Sequence, residues 1–166
     1  MLKISERLIM MIAEDDYTYI NTFMTLPEIF KYAAEHTVDI SEVGISRSSN
    51  DIWLSYCYMD EKVGLVNLIK TSSTAMSIHP YILEEHKVLF KDMILCVYRF
   101  INSYIHECVK LNATIASKFN RTIEIAKDCG MIVEGRIRDN YRISATRICD
   151  SYVLGITKQE MGECYG

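Results

Sequence analysis

Residues 120–160, NRTIEIAKDCGMIVEGRIRDNYRISATRICDSYVLGITKQE, constrain the fold more than any other stretch of the chain. Ile123, Ala126 and Lys127 recur at helical spacing, and the helix they predict stops at Gly130, a residue that takes the left-handed C-cap conformation at little steric cost. Met131 to Val133 restart as an apolar run, residues 134–142 alternate charged with apolar side chains, and residues 148–156 alternate again after a break at 144–146. Helix, strand, turn, strand is therefore the order here, and an α+β fold follows.

The preceding residues supply the rest of the sheet. An apolar run at 8–13 suits a first strand. Residues 17–35 read as two consecutive short helices, the second with Pro27 in its first turn, Thr25 as its N-cap and Glu28 completing a capping box. Residues 45–51 are loop-like. A strand at 52–59 sends Trp53, Ser55 and Cys57 to one face and Leu54, Tyr56 and Tyr58 to the other. A turn at 60–62, a strand at 63–69 and a strand at 74–78 complete an antiparallel meander, which His79 and Pro80 are expected to close because proline lacks the next backbone donor. A long helix follows at 84–104, with Phe90, Met93, Ile94, Val97, Ile101 and Tyr104 as the stripe that packs on the meander. A fifth strand is expected at 106–111.

At 166 residues the chain reads as one domain, 1–166. No apolar run approaches the roughly 18 residues of a membrane span, and the N-terminal stretch has no small-residue cleavage site, so a cytoplasmic protein without membrane association is expected. Six widely spaced cysteines with no C-x-x-C pair read as reduced thiols, and no metal site is expected. The net charge of −4 argues against nucleic-acid binding. That charge is uneven: residues 1–60 sum to −6 and residues 118–160 to +2, so the acidic half, with Glu14 and Asp15 after the first strand, is suited to a cationic substrate or partner. No G-x-S-x-G motif supports a covalent hydrolase.

The C-terminal quarter resembles the end of the GNAT superfamily of acyl-CoA N-acetyltransferases. Ala126, Lys127, Gly130 and Met131, then Glu134, Gly135, Arg138 and Asp139, then Asp150, Tyr152, Leu154 and Gly155 carry the likeness. It implies a mixed, mainly antiparallel twisted sheet flanked by helices, in the order β, α, α, β, β, β, α, β, α, β, β. It also implies acetyl transfer from acetyl-CoA to a small-molecule or protein amine. Backbone amides at Met76 and Ile78, with His86, Lys87 and Asn120, are the cofactor-binding candidates it implies, and His79, at the open end of its strand, is the candidate general base.

The chain departs from that pattern twice. The family's pyrophosphate loop is glycine-rich, whereas residues 79–89, HPYILEEHKVL, hold no glycine and place Glu84 and Glu85 at the helix start. The family's acid tyrosine, four residues before the helix-ending glycine, corresponds to Ala126, and its asparagine to Phe119, with Asn120 one residue late. A catalytically inactive binding or assembly protein is the alternative these departures support, and in its glycine-poor loop the chain also resembles small GNAT-like proteins of tailed bacteriophages. An open cleft between the fourth and fifth strands would favour the enzyme; a cleft filled by Tyr81, Phe90 or Tyr98 would favour the binding protein.

Overall fold

A computed structural model describes residues 9–35 and 38–165. Leu8, expected to open the first strand, and residues 1–7 of the N-terminal stretch read for a leader lie outside the described residues.

Seven strands form one sheet in the order β1-β2-β3-β4-β5-β7-β6, with every neighbouring pair antiparallel except β4 and β5. The strands are β1 (Ile9–Ala13), β2 (Asp51–Tyr58), β3 (Glu61–Lys70), β4 (Ala75–Ile82), β5 (Lys110–Ala116), β6 (Ile132–Arg142) and β7 (Ile148–Thr157). Among the described residues five α-helices accompany them: α1 (Tyr17–Met24), α2 (Pro27–Ala33), α3 (Phe90–Tyr104), α4 (Asn120–Asp128) and α5 (Lys158–Glu163). The expected α+β class, element order and mainly antiparallel sheet are all present.

Strand alternation explains why the sheet is covered on both sides. Leu54, Tyr56, Val66, Leu68, Met76 and Ile78 point to one face and form the main core with Met93, Val97 and Ile101 of α3. Trp53 and Leu65 point to the other face, where Ile20, Phe23, Met24 and Ile29 of α1 and α2 cover them. The α3 stripe is wider than its spacing suggests: Cys96 and Tyr98 are also buried, while Tyr104 is exposed. Gly64 lets α3 approach, since a Cβ there would lie 2.9 Å from both the Met93 sulfur and the Tyr81 carbonyl oxygen.

Local chemistry differs from expectation at several points. Thr25 caps no helix start; its hydroxyl donates to the Asn21 and Thr22 carbonyls at the end of α1, and Leu26 is the N-cap of α2 without a side-chain bond. Glu28 is then free of a capping box and accepts the Glu84 N–H at 2.7 Å. The side-chain cap in this helix pair is Asp16, which accepts from Thr18 and Tyr19 at the start of α1. The β2–β3 turn centres on Met59 and Asp60, both left-handed with φ of 50° and 68°, the twist that a two-residue hairpin demands. Residues 84–89 form a 3-10 turn before α3 begins.

The fifth strand runs from Lys110, not His106. Val109 and Lys110 donate to Thr74, so the ladder starts where β4 starts, and His106 and Glu107 are left in the connecting turn. His79 and Pro80 do not end β4, which continues to Ile82. Leu83 donates to Val63, so the odd-numbered amides of β4 face β3 and the even-numbered positions face β5. Pro80 is even, and β5 has already separated from β4 there, so no ladder bond is lost.

Candidate functional site

The parallel contact between β4 and β5 lasts three residue pairs: Ala75 with Lys110, Met76 with Leu111, and Ser77 with Asn112. Beyond Ser77 the strands diverge. The N–H of Ile78 makes the last ladder bond, to the Asn112 carbonyl that the Ser77–Asn112 pair requires, and Pro80 at the next even-numbered position has no N–H to offer the gap.

A cleft of about 620 Å³ fills this gap. It is bordered by Ile78 and His79, adjacent on β4, and by Ala113 and Thr114, adjacent on β5, so it reaches both faces of the sheet. On the α3 face its wall is apolar, formed by Ile82, Phe90, Ile94, Ile125 and Ala126, with exposed Lys87 and Arg121 also lining it. On the α2 face its lining is mixed, with the polar His79, Tyr81, Glu35, Asn140, Tyr141 and Ser151 beside Ile29, Tyr32 and Ala33 of α2. Tyr81 and Phe90 stand in the wall rather than filling the space, and Tyr98 is buried in the core elsewhere.

His79 is the central ionisable group. Its Nε2 lies 3.0 Å from the Ser77 hydroxyl, one strand repeat away on the same face. Burial lowers its pKa and Asp51 opposes that only in part, so the imidazole is neutral at pH 7 and able to accept a proton. Burial pushes the Tyr81 phenol up to about 12, which keeps it protonated.

An aromatic row edges the cleft. The Tyr32 and Phe119 rings are 5.8 Å apart and the Phe119 and Tyr141 rings 5.9 Å, joining α2, the β5–α4 loop and β6. Tyr141 is anchored by donating its hydroxyl to the Ala34 carbonyl at 3.1 Å. The Lys118 ammonium lies 4.6 Å from both the Phe119 and Tyr141 ring centres. Lys87 donates to the Tyr32 hydroxyl and to Glu84. Glu84 is held by Lys87 and Lys31, which bring its carboxyl down to about 2. The acid at the helix start is thus matched by two cations.

The other expected residues divide. Ile78, Lys87 and Asn120 line the cleft with His79; Asn120 is the first residue of α4. Met76 and His86 do not line it. Met76 is buried where β4 and β5 are still paired, and His86 stacks on Tyr58 with Glu85 3.6 Å away. Glu14 and Asp15 are also remote from the cleft. Glu14 is buried on the opposite part of the sheet, accepting from Lys62 and, at 2.5 Å, from Ser55. Sequence reasoning missed Glu35, Lys118 and Tyr141 as lining residues. A signal for Lys118 existed: a short loop after a strand that diverges from its parallel neighbour sits at the crevice where such sheets bind ligands.

No family model matches the chain, and no curated protein matches it in sequence. Its backbone is similar to solved structures. A spermidine N-acetyltransferase from Vibrio cholerae in complex with CoA and spermine superposes with a TM-score of 0.75 at 15% identity, covering 92% of this chain and 97% of that one. Mutant forms of the spermidine/spermine N-acetyltransferase of the same organism superpose with a TM-score of 0.75 at 15% identity, covering 95% and 98%. At this identity the likeness shows a shared fold.

Proposed function

We propose that this chain, whose fold is that of the GNAT N-acetyltransferases, transfers an acetyl group from acetyl-CoA to an amine. The opening of the sheet beyond Ser77, with a cleft that reaches both faces, carries the proposal. It offers two entrances, so donor and acceptor can meet in the middle without competing for one side.

The residues fit acetyl-CoA. The apolar wall of Ile82, Phe90, Ile94 and Ile125 suits a pantetheine arm. With no glycine in residues 79–89, backbone cradling of phosphate gives way to side chains, and Lys87, Arg121 and Asn120 take that role. When bound, the thioester supplies an activated acetyl carbonyl. His79, neutral and on the acceptor side, receives the proton that the amine loses as it forms the amide. Tyr81, held protonated, is the group that returns a proton to the departing thiolate, in place of the tyrosine that Ala126 lacks. A neighbour that binds CoA and spermine supports an amine as acceptor.

Calorimetric titration with acetyl-CoA, with free CoA alongside, tests this first, and mass spectrometry of acetylated amines tests it second. Saturable micromolar binding and an acetylated product are expected. No binding at millimolar acetyl-CoA would leave the second reading, an assembly or binding protein, which the Glu28 carboxylate on the Glu84 amide favours.

A further inference from the structure

Resting on the acetyltransferase reading, we infer that the acceptor is an amine that also carries an acidic group, of the amino-acid class, and that Lys118 recognises that group. The chain is acidic overall at −4, yet the cleft is not: among the described residues Lys87, Lys118 and Arg121 line it against the one carboxylate of Glu35. These cations differ in what already satisfies them. Lys87 is paired with Glu84, a carboxylate it shares with Lys31. Lys118 and Arg121 have no carboxylate within ion-pair distance among the described residues, and Arg121 belongs to α4, beside the apolar wall.

Lys118 stands on the acceptor side. Its ammonium rests against Tyr141, which is tied to the end of α2 through the Ala34 carbonyl, and Glu35, the residue after that cap, lines the cleft on the same side. Two aromatic faces hold the ammonium without neutralising it, so its positive charge remains available to a ligand anion. A polyamine with several ammonium groups needs several carboxylates and meets here one carboxylate and one repelling lysine. A molecule with one amine and one acid finds a partner for each: Glu35 draws in the ammonium, which releases one proton to solvent before the amine attacks, and Lys118 fixes the acid. The chamber thus selects for opposite charges on one small molecule.

The test is a panel of three acceptors, an α-amino acid, its carboxamide and spermidine, each followed by thiol release from acetyl-CoA and by mass spectrometry of the product. The amino acid is expected to exceed both others in kcat/KM by about tenfold, the scale of one charge-assisted contact. Lys118→Gln should raise the acid's KM about tenfold and bring it level with its amide, and Lys118→Glu should reverse the order in favour of spermidine. Equal or better use of spermidine by the wild type, or a preference unchanged in Lys118→Gln, would overturn the inference while leaving acetyl transfer standing. A protein that binds no acetyl-CoA and acetylates none of the three loses the parent reading, and this one with it.

Discussion

His79 and Glu14 show how differently two buried ionisable groups are used. Burial alone lowers the His79 pKa below its ordinary 6.5, so the reactive neutral form dominates at pH 7 and persists below it. The acid limb of kcat/KM should therefore lie below pH 6.5, and His79→Gln should lower kcat by roughly 10²- to 10⁴-fold and remove that limb. A pH–rate profile of both proteins checks this; a limb retained in the variant would assign the base elsewhere. Glu14 is structural. Burial pushes its carboxyl up, but hydrogen bonds from Lys62, Ser55 and the Asp16 amide together outweigh burial and hold it below 4.5. A depressed carboxyl contributes stability that is present above pH 4.5 and lost as pH falls through the folded value. Urea titrations should show the wild type losing that contribution in acid. Glu14→Gln should cost about 2 kcal/mol at pH 7 and flatten the pH dependence below 4.5.

At the scale of elements, the end of α4 is the most specified joint. Gly130 has φ of +87°, and a Cβ there would lie 2.6 Å from the Cys164 sulfur, so Gly130→Ala should cost about 1–2 kcal/mol, read as a lower denaturation midpoint with an unchanged slope. That joint was legible in the sequence because glycine and a change of hydrophobic period announce it together. The meander was legible for the same reason, its faces separating cleanly at Trp53 and Leu54. Pro80 misled because a proline reads as a stop unless its missing donor faces an unpaired edge, and that depends on a strand contributed from thirty residues further on. The helix α5 was legible but unread: Thr157 and Glu160 form a full capping box, a pattern visible in Thr-Lys-Gln-Glu. Thr25 and Glu28 show the same pattern where Glu28 is taken by the Glu84 amide, so the pattern alone does not decide which partner the carboxylate meets. The cleft was only half legible. His79, Ile78, Lys87 and Asn120 come from segments flanking the diverging strands, whereas Glu35 and Tyr141 reach it from elements over a hundred residues apart, joined by the Tyr141 bond to Ala34.

For the whole molecule, the sheet is two blocks, β1–β4 and β5–β7, hinged on three parallel residue pairs. A ligand lying in the gap touches both blocks, through Ile78 and Ile82 on one side and Ala113 and Ile125 on the other, and so should stabilise the fold by more than local ordering of a loop. Binding to the folded state alone contributes about 2.7 kcal/mol at a hundredfold excess over Kd. For a domain of this size that is a rise in Tm of about 5–10 °C. Acetyl-CoA should produce such a rise in a thermal melt. If side-chain cations replace the glycine loop, the rise should shrink with added salt, and Lys87→Ala combined with Arg121→Ala should reduce both the rise and its salt dependence. A loop that held phosphate by backbone amides would behave otherwise, because the double variant would then keep the wild-type rise. A full rise in the double variant would accordingly shift the phosphate contacts to the amides of residues 84–89, and no rise in the wild type would mean that the gap between the blocks takes no acetyl-CoA.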